Sequence, residues 1–189
     1  TGDRPMTTLW IVRHGEAAAS WEKDPDPGLS ALGREQAEAT AAALSHRVPP
    51  DITLISSPLQ RAQETAQALA DKLDSRVVKI DSRFSEVRSP VPLSERKVWL
   101  QGFMKQTWSE QSDDLWDWRS EIVSGLKECT TPTVVFCHFL VINAVVADIL
   151  GRPEVLQVYP ANASFHELSL DEGELTLVQF GEQMETRVN

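Results

Sequence analysis

Cysteine is scarce in this 189-residue chain. Cys129 and Cys137 are the only two, too few for a disulfide framework, and they read as the reduced thiols of a cytoplasmic protein. Basic residues are also outnumbered, with 18 Lys and Arg against 28 Asp and Glu and a formal charge of −10. A surface that acidic repels phosphate backbones and anionic headgroups, which argues against nucleic acid and membrane as partners. A local cluster of cations can still hold a small anion. There is no uninterrupted apolar run of the about 20 residues a membrane span needs. The most apolar stretch, 134–150, is broken by His138, Asn143 and Asp148 and reads as a buried strand followed by a helix. No apolar segment opens the chain, so no secretion signal is expected. Met6 stands a few residues in, so residues 1–5 are expected to be a processed or added leader without fixed structure. Repeats, linkers and low-complexity tracts are missing too, and the composition is that of one globular domain over 1–189.

What is present alternates strand and helix. Residues 8–12 form a short apolar run suited to a buried parallel strand, and it ends on Arg13-His14-Gly15-Glu16. Ser30 reads as the N-cap of an Ala-rich helix that runs to about His46 and stops before Pro49-Pro50. A second strand is expected over 52–55. Ser57-Pro58-Leu59-Gln60 then looks like a capping box, and Leu59, Ala62, Ala66, Leu69 and Leu73 form the apolar stripe of the helix behind it. Residues 77–80 give a third strand. Pro90 and Pro92 interrupt the pattern beyond it, with Trp99, Phe103 and Trp108 as apolar anchors, and 87–112 reads as a lid or cap.

Leu115, Trp118, Ile122, Leu126 and Cys129 mark a further helix, 133–137 a fourth central strand, and 140–150 a helix closed by Gly151. Residues 164–170 and 175–180 flank Asp171-Glu172-Gly173-Glu174 as an antiparallel hairpin. The fold class expected is a three-layer α/β/α domain, with a mostly parallel central sheet and an antiparallel edge hairpin.

Ligands of open α/β sheets sit at the carboxyl ends of the strands. Arg13 and His14 follow the first strand, Arg61 lies in the first turn of the helix after the second, and His138 closes the fourth. Two arginines and two histidines converging there make a candidate anion pocket in an acidic protein. A cation at a helix N-terminus opposes the dipole, which favours a functional reason for Arg61. No candidate ligands share a helical or turn spacing, so a metal site built from His14, His138 and Glu16 is not expected. Cys137 adjoins His138, but neighbours on a strand point to opposite faces, and the thiol reads as a small buried hydrophobe. His46 and His166 read as surface residues.

Four blocks in order carry a resemblance: Arg13-His14-Gly15-Glu16; Leu29-Ser30-Ala31-Leu32-Gly33-Arg34-Glu35-Gln36-Ala37; Ser56-Ser57-Pro58-Leu59-Gln60-Arg61-Ala62-Gln63-Glu64-Thr65-Ala66; and a strand ending on His138. Together the chain resembles the histidine phosphatase (phosphoglycerate mutase-like) superfamily. The resemblance implies that His14 attacks phosphorus and becomes phosphohistidine, while Arg13, Arg61 and His138 hold the phosphoryl oxygens. It also implies a carboxylic acid after the third strand that protonates the leaving oxygen; Glu86 stands at the matching place, with Asp81 as runner-up. Phosphoryl transfer requires of the protein mainly positioning and charge stabilisation, which such a fork of guanidinium donors supplies. No cofactor and no metal are implied, and the partner is a small phosphorylated substrate or inorganic phosphate.

Departures from the pattern bear on which activity is expected. Phe139 stands where the family usually has glycine after its second histidine, Ala17 where many members have Ser or Thr, and Ser20 where mutases have Asn. These changes put mutase activity in doubt more than phosphatase activity, and a metal-independent phosphatase is the leading expectation. A phosphate-binding sensor with little turnover and a phosphoglycerate mutase-type transferase are the alternatives. Glu16, Ser20 and Phe139 are accessory candidates, Glu16 as a residue that orients an arginine or is merely solvated. Specificity is expected to reside in 87–118 and 20–28, loops over a fixed scaffold.

Overall fold

The computed structural model describes residues 6–20 and 24–184. The expected leader at 1–5, and Trp21, Glu22 and Lys23 of the expected specificity loop, lie outside the described residues. The chain runs β1 (Thr7–Arg13), α1 (Ala31–Ser45), β2 (Thr53–Ser56), α2 (Gln60–Lys72), β3 (Val78–Ile80), α3 (Arg96–Phe103), α4 (Asp113–Lys127), β4 (Thr133–Cys137), α5 (Phe139–Leu150), β5 (Phe165–Asp171) and β6 (Glu174–Gln179).

The sheet order is β3-β2-β4-β1-β5-β6. β3, β2, β4 and β1 are parallel, and β5 and β6 join antiparallel. The turn between β5 and β6 puts Glu172 and Gly173 at φ 50° and 81°, the left-handed region a two-residue hairpin turn demands.

Strand alternation explains the layers. Leu9, Ile11, Val135 and Cys137 point into one core with α4 and α5, while Trp10, Val12, Val134 and Phe136 point into the other with α1 and α2. Both central strands are buried on both faces, which is why their sequences are near-continuous apolar runs. The three-layer α/β/α arrangement read from the sequence is the one found.

Two local readings change. Ser57 does not cap α2: the helix starts at Gln60, whose N–H is taken by Asp26 Oδ1 at 2.8 Å, and Ser57 spends its hydroxyl elsewhere. His166 is fully buried rather than at the surface, its Nδ1 accepting the Gly181 N–H at 2.9 Å. Trp99 and Trp108 pack as the anchors expected of them. Trp99 stacks on Phe103 at 5.0 Å, Phe103 meets Trp108 edge-on at 5.9 Å, and the Arg119 guanidinium lies 4.8 Å from both Trp108 and Trp116.

Candidate active site

The ends of three parallel strands lock the site backbone together. The His14 N–H donates to the Cys137 carbonyl at 3.2 Å and the Ser57 N–H to the Phe136 carbonyl at 3.0 Å. The tips of β1, β2 and β4 are thereby tied together directly behind His14, Ser57 and His138. Gly15 is required here, because a Cβ at that position would overlap the Gly33 carbonyl of α1. The Gly15 N–H donates to Thr65 Oγ1 at 3.1 Å, which fixes the loop after β1 against α2 one turn beyond Arg61.

His14 is held in one orientation. Its Nδ1 contacts the Gly15 carbonyl at 2.6 Å, which places the proton there, and its Nε2 faces the Arg61 Nε–H at 3.1 Å. The outward nitrogen therefore carries a lone pair. Burial first, and the Arg61 cation second, hold the His14 pKa down to about 3, so the ring is neutral across the physiological range.

His138 lies with its ring centroid 5.2 Å from that of His14. Its Nε2 is 2.7 Å from Ser57 Oγ. Ser57 Oγ already accepts the Leu59 N–H at 3.3 Å, so its own proton is best placed on the bond to His138. That arrangement makes His138 Nε2 the acceptor and puts the hydrogen on Nδ1, which is buried without a protein partner. Burial, followed by the neighbouring His14 and arginines, keeps His138 neutral as well. The Arg13 Nε–H is likewise buried and unpartnered. Its Nη1 donates to the Pro160 carbonyl at 2.8 Å, and burial lowers its pKa to about 10. Buried polar groups are rarely left unpaired in native proteins. Two such N–H groups beside a neutral histidine are what a phosphoryl oxygen would satisfy.

Glu86 joins this cluster through its electrostatic interaction with Arg13 and Arg61. Its Oε1 accepts the Val87 N–H at 3.1 Å and its Oε2 the Leu140 N–H, in the first turn of α5, at 3.3 Å. Burial raises its pKa against the pull of these bonds and of Arg61 and Arg96. A carboxyl that resists ionisation is suited to proton donation. Asp81 is the opposite: Arg83 donates to both of its oxygens, at 2.8 to 3.2 Å, and holds its pKa below the usual range. A cavity of about 600 Å³ opens beside Glu86, walled by Pro58, Val87, Leu115 and Trp118.

The structure thus gathers Arg13, His14, Arg61, Glu86 and His138. It does not bring Glu16 and Ser20 in with them. Glu16 is exposed and ties its loop to α1, its N–H donating to Gln36 Oε1 and its carboxylate accepting from Ser30. Ser20 is exposed. Phe139 borders the site under Arg13. Cys137 is fully buried with its thiol pKa pushed up, as a packing residue should be. Two contributors do not stand out in the sequence. Ser57 reads there as a cap. Arg96, at the start of α3, acts electrostatically on Glu86, Arg61 and His138 from a segment that carries no recognisable motif. Among the described residues, no three of His, Cys, Asp and Glu are grouped to hold a metal ion.

The family model described as Histidine phosphatase superfamily (branch 1) matches residues 9–183. A glucosyl-3-phosphoglycerate phosphatase of Mycolicibacterium vanbaalenii is 42% identical over 82 residues, 41% of this chain and 35% of its own length. This chain therefore matches about a third of that relative. A 2,3-bisphosphoglycerate-dependent phosphoglycerate mutase of Bartonella henselae is 30% identical over 121 residues, 58% of this chain and 54% of the mutase. Among solved structures, a mycobacterial glucosyl-3-phosphoglycerate phosphatase complexed with VO3 superposes with a TM-score of 0.71 at 24% identity, covering 94% of this chain and 100% of the other. A phosphoserine phosphatase of Entamoeba histolytica gives 0.71 at 20% identity, covering 94% and 98%. At these identities the structural likeness speaks for the fold.

Proposed function

The chain belongs to the histidine phosphatase superfamily, and from that premise we propose that it hydrolyses a small phosphomonoester through a phosphohistidine on His14, without a metal. The observation that carries the reading is the pairing of a neutral His14, lone pair outward on Nε2, with the unpartnered N–H groups of Arg13 and His138.

The chemistry follows from those positions. The Arg61 Nε–H points at the His14 Nε2 lone pair. An incoming phosphoryl group offers Arg61, Arg13 and His138 better acceptors, which frees Nε2 to attack phosphorus. As the N–P bond forms, the P–O bond to the alcohol breaks, and Glu86 gives its proton to the departing oxygen. The Glu86 carboxylate then takes a proton from water, whose oxygen attacks phosphorus and releases phosphate and neutral His14. The cavity beside Glu86 offers room for the alcohol, and the residues of 87–118 that help to wall it would set specificity. The names of the relatives recommend phosphosugars and phosphoglycerates as the first alcohols to try.

Turnover of p-nitrophenyl phosphate in the presence of EDTA, followed by a panel of phosphosugars, phosphoglycerates and phosphoserine, tests the reading. Release of phosphate unaffected by chelator is expected. Phosphate binding with no turnover of any member would make the protein a sensor, and loss of activity to EDTA would end the metal-free mechanism.

A further inference from the structure

We propose that Phe139 is the positioning residue for Arg13, its ring forming one wall of a box that aims the guanidinium at the phosphate. The inference rests on the phosphate-binding role given to Arg13 above. The guanidinium carbon lies 5.2 Å from the centroid of the Phe139 ring, within the distance at which a cation is drawn to a π face. The ring is itself backed by Tyr159, edge-on at 6.2 Å and 71°.

The other sides of the box come from the C-terminal end of the described chain. The Pro160 carbonyl accepts from Arg13 Nη1 at 2.8 Å, and the thioether of Met184 lies 3.5 Å from the same nitrogen. Met184 is held there because its N–H donates to the Tyr159 carbonyl at 2.7 Å, while the Ala161 N–H donates to the Glu182 carbonyl at 3.0 Å. Nη1 is committed to this box, and Nε, buried without a protein partner, remains a donor for an oxyanion.

Phe139 directly follows His138 and begins α5, so one strand-to-helix junction places a phosphate-binding histidine and orients an arginine from another strand. Glycine at this position, the usual residue of the family, could give neither the wall nor the cation–π contact. The bulky side chain that departs from the pattern thus fixes a long, rotamer-rich arginine before substrate arrives. Pre-ordering of that kind emerges as tighter anion binding, because the entropy of orienting Arg13 is lost before binding.

The test is calorimetric binding of inorganic phosphate, with kcat and KM for p-nitrophenyl phosphate, in the Phe139→Leu and Phe139→Tyr variants. Each is made alone and in an Arg13→Ala background. Leucine keeps the helix and most of the volume but loses the π face. Phe139→Leu is expected to weaken phosphate binding about fivefold and to lower kcat/KM alongside it, while Phe139→Tyr stays at the wild-type level. In the Arg13→Ala background the Leu substitution should change nothing further. Wild-type phosphate affinity in Phe139→Leu, or an equal loss with Arg13 already removed, overturns the proposal. Should Phe139→Leu fail to fold, Phe139→Met read against Phe139→Tyr in the same cycle decides it. If Arg13→Ala binds phosphate as tightly as wild type, the phosphate role of Arg13 fails first, a result separable from failure of the Phe139 contact alone.

Discussion

At the scale of single residues, the site depends on where protons sit. Glu86 is neutral for longer than an ordinary glutamate because burial opposes its ionisation. Its contribution to rate should scale with the basicity of the leaving oxygen. Glu86→Gln is expected to reduce kcat about 100-fold or more on an alkyl phosphate and much less on p-nitrophenyl phosphate, whose phenolate departs without help. In the wild type, activity should fall as pH rises through the raised Glu86 pKa, and the variant should lose that limb. Equal small losses on both substrates would remove Glu86 from the role. Ser57 governs the second histidine: its proton on His138 Nε2 keeps the Nδ1–H available. Ser57→Ala should weaken phosphate binding and lower kcat about 10-fold, Ser57→Thr should preserve both, and the ring nitrogen NMR shifts of His138 should report mixed tautomers in the Ala variant alone. Arg13, His14, Arg61 and His138 were legible in the sequence because they sit at the ends of strongly patterned strands or in the first turn of a clear helix. Ser57 was hidden by its own plausibility as a cap, since a serine before proline and an apolar stripe fits that use equally well.

At the scale of elements, legibility followed burial. β1 and β4, buried on both faces, stand out as apolar runs, and each helix packed on the sheet has a stripe or a stop signal. Boundaries moved where tertiary partners took over from local ones, as at α2, where Asp26 from a preceding loop caps a helix whose own serine is engaged with His138. Residues 87–112 gave the least away, because short helical turns joined through prolines leave no period to read, and Arg96 entered the site from there unannounced. The edge hairpin hides another interaction. Buried His166 accepts the Gly181 N–H, and burial lowers its pKa to about 4. The unfolded chain takes up a proton below about pH 6.5, whereas the folded one resists until about pH 4. Stability should therefore fall as pH is lowered through that window, with a slope of about 1.4 kcal/mol per pH unit from this residue. His14 and His138 act in the same sense, so the difference between wild type and His166→Gln isolates the contribution. Chemical denaturation at stepped pH should show a shallower slope for His166→Gln between pH 6.5 and 4; parallel curves would mean that His166 is not held neutral in the fold.

At the scale of the whole molecule, a chain of net charge −10 gathers Arg13, Arg61 and Arg96 around one point at the end of its sheet. Fold and family were both readable because four short blocks occur in order, and the sheet topology β3-β2-β4-β1 brings the ends of β1, β2 and β4, which carry or lead into Arg13, His14, Arg61 and His138, side by side. The alcohol was not readable, since the walls beside Glu86 come from Pro58, Val87, Leu115 and Trp118, residues that would serve equally well as ordinary packing. Everything proposed about mechanism passes through a single bond, from His14 Nε2 to phosphorus. The most direct measurement is acid-free quenching of the enzyme during turnover of labelled phosphomonoester, with the label mapped by mass spectrometry and tested for lability. Phosphate that is acid-labile, base-stable and confined to the His14 peptide, and that disappears together with turnover in His14→Ala, is the expected result. Label on any other residue, or near-normal turnover in His14→Ala, would contradict it.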